Sequence, residues 1–226
     1  MSVRSKLLVL LATALCFAAN AAGVSAEKPK KPHGESFHGK GVIESVSGDE
    51  IKMTTADGDS LVLKIAKSGG VHVTGIVAPE ELHHAKNVQV SVMFDKKTRR
   101  IKDPVKKVTI FTPTKDQPAG VLPDTSAKVD DDSIDLHANW KPCIIGGSVQ
   151  TLSGQKLTLN VPGLTPARLK VELADGLQVS VDVTDIHLAK AGDKIEIRKA
   201  LKTDDGVIHV MEAAIRLAKP KKPKAE

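Results

Sequence analysis

The chain repeats one apolar pattern at a fixed distance. Residues 41–85 align with residues 147–191 at a constant offset of 106, and one inserted residue changes the offset to 107 further along. The aligned pairs include Val46 with Leu152, Leu63 with Leu169, Gly70 with Gly176, Val73 with Val179, Leu82 with Leu188, Val88 with Ile195 and Ile110 with Leu217. A duplication of this length predicts two tandem copies of one small domain. It leaves the chemistry open.

The apolar residues of each copy follow the period of a β-strand. They alternate with polar residues, and turn-forming residues at 47–49, 56–59 and 68–70 separate the runs of the first copy. The stretch 78–84, which begins before Pro79, is the one with a helical pattern. Short strands with one small helical element before the last pair predict an all-β chain. We expect two tandem five- or six-stranded OB-like barrels, each formed by one repeat.

Composition divides the rest of the chain. The expected segments are a signal peptide at 1–26, a disordered Lys/Pro arm at 27–40, a first barrel at 41–112, a Pro/Asp-rich linker at 113–142, a second barrel at 143–217 and a disordered Lys/Pro tail at 218–226. Arg4 and Lys6 precede a short apolar run, and Val24-Ser25-Ala26 forms a cleavage pattern of small residues. These features are typical of a cleaved export signal. We therefore expect an exported protein, periplasmic or extracellular, with no membrane span once the signal is cleaved.

The pattern of turn glycines and alternating Val and Ile residues resembles that of a known family. The segments 147–159, 192–197 and 206–215 carry a pattern that is similar to the exported bacterial barrels called domain of unknown function 5666. The first repeat matches less well, because Ala85-Lys86 stands where the second repeat has a Gly-Asp turn. The resemblance implies an OB-like fold and an envelope or extracellular location. It implies no chemistry.

Positive charge is concentrated at the two ends of the chain. Without residues 1–26 the net charge is +4, whereas the body at 41–217 has a net charge of −1. The pentapeptide Lys-Pro-Lys-Lys-Pro occurs at 28–32 and again at 219–223, and a further basic run lies between two predicted strands of the first repeat. The candidate polyanion-binding residues are Lys28, Lys30, Lys31, Lys96, Lys97, Arg99, Arg100, Lys219, Lys221 and Lys222. The second repeat keeps few of these charges, so we assign the anion site of the body to the first repeat.

An anionic envelope polymer or a protein partner fits this charge distribution. Specific readout of nucleic acid is not expected, because base stacking needs aromatic side chains and the chain after the signal has only Phe37, Phe94, Phe111 and Trp140. The alternative for the tails is a purely solubilising role. The alternative for the basic run is the solvated face of an edge strand, where lysines discourage pairing between sheets.

Two other classes of function stay open. A periplasmic metal-binding protein would use Glu80, His83 and His84, since imidazole and carboxylate groups hold Zn²⁺ or Cu²⁺. Adjacent histidines reach one ion only if the backbone bends, and the second repeat has Ala189 and Lys190 in their place. A purely structural pair of barrels would bind neither metal nor polyanion.

The sequence gives no sign of an enzyme. It contains no nucleophile elbow, phosphate-binding loop or zinc-protease motif, so we expect neither catalysis nor a cofactor. After signal cleavage Cys143 is the one cysteine. A lone thiol in an oxidising compartment is either buried or pairs with another molecule, which would give a dimer through Cys143. The apolar neighbours Ile144 and Ile145 favour burial.

Overall fold

The computed structural model describes residues 34–127 and 139–220. The predicted signal peptide and most of the predicted N-terminal arm lie outside these residues. The strands are β1 (Gly34–Ser47), β2 (Glu50–Thr55), β3 (Ser60–Val77), β4 (Asn87–Asp95), β5 (Arg100–Ile101), β6 (Val105–Phe111), β7 (Gly120–Pro123), β8 (Trp140–Ser153), β9 (Lys156–Asn160), β10 (Arg168–Val183), β11 (Lys194–Thr203) and β12 (Ile208–Arg216). Two short 3₁₀ helices, η1 (Pro79–His84) and η2 (Ile186–Leu188), accompany them. The prediction of an all-β chain is confirmed.

The strands join into two closed circuits of hydrogen bonds within one twelve-stranded sheet. In the first circuit β1, β2, β3, β12 and β11 follow one another, and β11 returns to β1. In the second circuit β8, β9, β10, β6 and β4 follow one another, and β4 returns to β8. Strand β5 pairs with β4, and β7 pairs with the outer edge of β8. Closure removes most of the free sheet edges that would otherwise need protection.

The two circuits exchange strands. Each takes three strands from one repeat and its last two from the other, so this pairing differs from the expectation of one barrel in 41–112 and another in 143–217. The exchanged strands enter through parallel pairings, β12 beside β3 and β6 beside β10. The physical reason lies in the duplication itself. Because the two repeats offer equivalent strands with the same apolar pattern, the final pair of either repeat can complete either set of three.

A local two-fold relation joins the circuits at the antiparallel pairing of β3 with β10, which we call the seam. Val73 pairs with Val183, and Val77 pairs with Val179. At the offset of 106, Val179 is the repeat equivalent of Val73, and Val183 is the repeat equivalent of Val77. Gly75 lies opposite its own repeat equivalent, Val181, at the centre. A Cβ atom on Gly75 would lie 2.6 Å from the Cβ of Leu217, so the close approach of the C-terminal chain requires glycine here.

One hydrophobic core fills both circuits. Inward positions of the two repeats correspond, as with Ile51 and Leu63 in the first circuit and Leu157 and Leu169 in the second, all of which are buried. Full burial of such a side chain stabilises the fold by about 1.5–3 kcal/mol. The alternation of buried and exposed residues along β2, β9 and β10 follows the two-residue period of the sequence.

Three predicted boundaries are wrong. Residues 34–40, expected in the disordered arm, form the first half of β1, because their backbone pairs with β11 and Phe37 packs against the core. Within the predicted linker, β7 satisfies the edge of β8 by pairing Val121 with Ile145. Strand β8 also begins at Trp140, inside the predicted linker. The helical pattern at 78–84 is confirmed by η1. In the described part of the chain no helix has the length and apolarity needed to cross a membrane.

Cutting the chain between the repeats tests the strand exchange. A recognition sequence for a site-specific protease, inserted after Ala127, would allow the folded protein to be cleaved before β8. We expect the two fragments to co-elute at the mass of the intact chain, because each circuit holds strands from both fragments. They should separate only in denaturant. Two species of about half the mass under native conditions would show instead that each repeat closes on its own strands.

Candidate functional site

A groove with a volume of about 900 Å³ lies on the outside of the second circuit. One wall is the connection at 98–104, and the other consists of the outer faces of β8, β9 and β10. We call it the basic groove, because six of its lining residues are cations and two are acids. The cations are Arg99, Arg100 and Lys102 on the first wall and Lys156, Arg168 and Lys170 on the second, and the acids are Asp103 and Glu172.

The strand period fixes the second wall. Along β10 the side chains of Leu169 and Val171 enter the core, so Arg168 and Lys170 at the intervening positions point outward. On the neighbouring strand β9, Lys156 lies at an outward position for the same reason. Lys156 lies on a strand that pairs on both sides, and Arg168 and Lys170 lie on the part of β10 that pairs with β9. This pairing sets the positions from which the three side chains start.

Asp95 fixes the first wall by closing the turn between β4 and β5. The residue is 7% exposed, and its carboxylate accepts hydrogen bonds from the Lys97 amide at 2.8 Å and the Thr98 hydroxyl at 2.7 Å. Its backbone carbonyl accepts from the Arg99 amide at 2.7 Å, and Arg99 itself takes a left-handed φ of 55°. The hydrogen bond from Thr98 is the main cause that holds the pKa of Asp95 below its ordinary value.

One hydrogen bond ties the two sides of the basic groove together. The Arg99 Nη1 atom donates to the backbone carbonyl of Thr165, in the connection between β9 and β10, at 2.8 Å. The turn of the first repeat is thereby held against strands of the second repeat. Since a guanidinium has five N–H donors, Arg99 keeps further donors for an anion.

The predicted polyanion-binding residues lie in different places in the structure. Arg99 and Arg100 line the basic groove, whereas Lys96 and Lys97 are exposed on the same turn without lining it. Lys219 is exposed just beyond Ala218, whose amide donates to Asp193 at 2.7 Å. The remaining tail residues lie outside the described residues, namely Lys28, Lys30, Lys31, Lys221 and Lys222.

The cations of the basic groove come from both repeats, whereas the sequence predicted an anion site of the first repeat alone. The second wall belongs to the second repeat, and sequence reasoning missed its cations Lys156, Arg168 and Lys170. The alternation of Arg168 and Lys170 with buried Leu169 was a usable signal that both face solvent. Nothing in the sequence indicated that they face the basic turn, because that depends on the strand exchange.

The equivalent face of the first circuit has a different charge. At the positions of Lys156 and Arg168 it has Glu50 and Val62, and it keeps a lysine only at Lys64, the equivalent of Lys170. Glu44 forms a salt bridge with Lys52 at 3.2 Å and also accepts from the Thr54 hydroxyl, which lowers the pKa of Glu44. The turn between β11 and β12 has Gly206 and Val207 at the positions of Arg99 and Arg100, and it also contains Asp204 and Asp205. The surplus of positive charge is therefore confined to one of two related faces.

The predicted metal ligands do not form a site in this structure. Glu80, His83 and His84 lie exposed on η1. Within residues 34–127 and 139–220, no group of three or more His, Cys, Asp or Glu side chains is arranged to hold a metal ion. The neighbouring acid Glu81 instead accepts a hydrogen bond from Lys190 at 2.7 Å, which links η1 to the loop before β11.

Cys143 is buried, as its apolar neighbours predicted. It lies on β8 with 3% of its surface exposed, opposite Val92 on one side and Pro123 on the other. Burial raises the pKa of its thiol, which keeps the thiol protonated at neutral pH. A disulfide with a second molecule would require this part of the core to open first.

Comparisons of this chain with protein-family models, with curated proteins and with solved structures found no match.

Asp95 gives the turn a specific pH dependence. Because its folded-state pKa lies below the ordinary value of 3.8, ionised Asp95 stabilises the fold above that value, and the contribution is lost as pH falls through the lowered pKa. We expect Asp95→Asn to lower the free energy of unfolding at pH 7, and this deficit to shrink below about pH 4. Urea unfolding of both proteins across this range measures it. Asp103→Asn, in the same connection, is the control and should leave stability nearly unchanged. A deficit for Asp95→Asn that is independent of pH would contradict this assignment.

Alkylation tests the burial of Cys143. In the native protein we expect iodoacetamide to label the thiol very slowly at pH 7.5, since the thiol is shielded and its pKa is raised. In guanidinium chloride the same residue should be labelled rapidly. Mass spectrometry follows both reactions, and fast labelling of the folded protein would contradict the structure.

Proposed function

We propose that this chain is an exported, non-enzymatic binding protein that contacts an anionic component of the cell envelope through the basic groove. The observation that supports it is the concentration of six cations against two acids in one groove. Such a surface attracts anions and speeds their association with the protein. The proposed export rests on residues 1–26.

We also propose that the two circuits are OB-like barrels. In support, each circuit has five strands, a parallel pairing of its third strand with its fifth, and a 3₁₀ helix after its third strand. OB folds bind their ligands on the face of strands two and three, beside the loop between strands four and five. In the second circuit β9 and β10 are strands two and three, and the connection that contains Arg99 and Arg100 is the loop between strands four and five. The basic groove occupies this place.

The lysines of the two tails extend this proposal. Lys28, Lys30, Lys31, Lys219, Lys221 and Lys222 would add electrostatic contacts around those of the groove. Proline between lysines favours an extended chain, which displays charge over a long reach. In this proposal the tails raise the affinity for a polyanion, and the groove determines where the polyanion lies.

Salt dependence of binding to an immobilised anionic polymer tests the proposed site. We compare the mature chain with the double variant Arg168→Gln/Lys170→Gln and with the matched control Lys64→Gln/Lys202→Gln, which removes the same charge from the first circuit. Each cation that contacts a phosphate adds about one to the slope of log affinity against log salt concentration. We expect the groove variant to lose about two units of slope and the control to keep the wild-type slope.

Three results would count against the proposal. Equal losses in both variants would show that total charge matters and the groove does not. Binding that survives at high salt would exclude an electrostatic contact. No binding by any form would leave a structural role for the two circuits.

A further inference from the structure

We infer that the basic groove takes a linear phosphodiester polymer that it recognises without nucleobases, such as a polyol-phosphate chain. This inference rests on the proposed function and names the class of ligand for the same site. Three features of the lining support it: the absence of aromatic rings, the spacing of the cations and the uncharged groups between them.

No aromatic residue lines the basic groove. Phe94 and Phe111 are buried in the core, Phe37 packs against it, and Trp140 is also absent from the lining. Proteins that hold single-stranded nucleic acid in a groove gain about 1–3 kcal/mol for each base that stacks on an aromatic ring. This groove offers no such platform, so the parts of a ligand that it can recognise are its charges and its backbone.

The cations of the second wall lie on consecutive rungs of two paired strands, two on β10 and one on β9. Arg168 pairs with Asn160, Lys170 with Thr158 and Glu172 with Lys156, so each of three consecutive outward rungs of the β9–β10 ladder contains one cation. Consecutive outward rungs are about 7 Å apart, since each residue advances the strand by about 3.3 Å.

That spacing matches phosphodiester chemistry. Two phosphorus atoms joined through an extended O–C–C–C–O bridge are separated by a similar distance. Inorganic polyphosphate joins its phosphorus atoms through a single oxygen, which places neighbouring charges at less than half the spacing. A phosphodiester chain can therefore place successive phosphates at successive rungs, whereas polyphosphate crowds several charges between two cations.

The rest of the lining suits an uncharged bridge that carries hydroxyl groups. Gln150, Thr151 and Thr158 provide amide and hydroxyl partners. The apolar residues of the lining are Ile101, Pro104, Leu157, Pro166, Leu169 and Val171. The opposite wall contributes Arg99, Arg100 and Lys102, so phosphates that point away from the ladder also meet cations. A polyol-phosphate chain presents both kinds of group, alternating charged phosphates with short hydroxylated bridges.

Affinities for three matched polymers test this inference. Calorimetry of the full mature chain would compare a synthetic glycerol-phosphate oligomer, oligo-dT with the same number of phosphates, and linear polyphosphate with the same charge. We expect the first two to bind within about threefold of each other and polyphosphate to bind at least about tenfold more weakly. Lys170→Gln should weaken binding of the glycerol-phosphate oligomer about tenfold, and its repeat equivalent Lys64→Gln should leave it unchanged.

The outcomes separate this inference from the proposed function. Oligo-dT that binds tenfold more tightly than the base-free oligomer would show base recognition and overturn the inference alone. Polyphosphate that binds as tightly as the other two would show that charge density suffices, with the same consequence. Failure of all three polymers to bind would overturn the proposed function as well.

Discussion

The parallel pairings of β3 with β12 and of β6 with β10 are the contacts on which the rest of the structure depends. Each closes a circuit by joining strands from different repeats. Without them β3 and β10 would present long, apolar-patterned edges, and backbone groups that lose their partners away from water cost free energy. The seam then fixes the two circuits against each other, with Gly75 and Val181 paired at its centre. Fold and site share these constraints, because the same exchange places the basic turn over β9 and β10.

The two circuits show how a duplicated backbone can carry different charges on two equivalent faces. Equivalent inward positions of β2–β3 and β9–β10 are apolar in both repeats, while the outward residues differ in charge. Between described residues, no salt bridge involves any of the six cations of the groove. Like charges held together without partners repel one another, so this arrangement costs stability. In the function that we propose, a bound anion would offset this cost.

Much of this could be predicted from particular residues. The alternation through Leu157, Leu159, Leu169 and Val171 predicts both the strands and which residues are buried. The same parity predicts that Arg168 and Lys170 face solvent. The exchange could not be predicted in this way, since both repeats offer the same apolar pattern and local sequence does not distinguish a strand's own repeat from its copy. Residues 34–40 were not predicted as a strand for a related reason. They are held by backbone pairing with β11, and backbone pairing does not appear in the periodicity of the side chains.

The exchange also determines the order in which the chain can fold as it is made. The second circuit is complete only when β10 has emerged, and the first must wait for β12, the last strand in the part of the chain that the structure describes. The first three strands are thus synthesised early and closed last, across a very large sequence separation, which is a slow step in folding. We propose that the chain is exported, and this delay is useful to an exported chain that crosses a membrane before it folds. Neither repeat can close a circuit before strands of the other repeat have crossed the membrane. The polypeptide therefore stays extended enough for translocation until most of it has crossed.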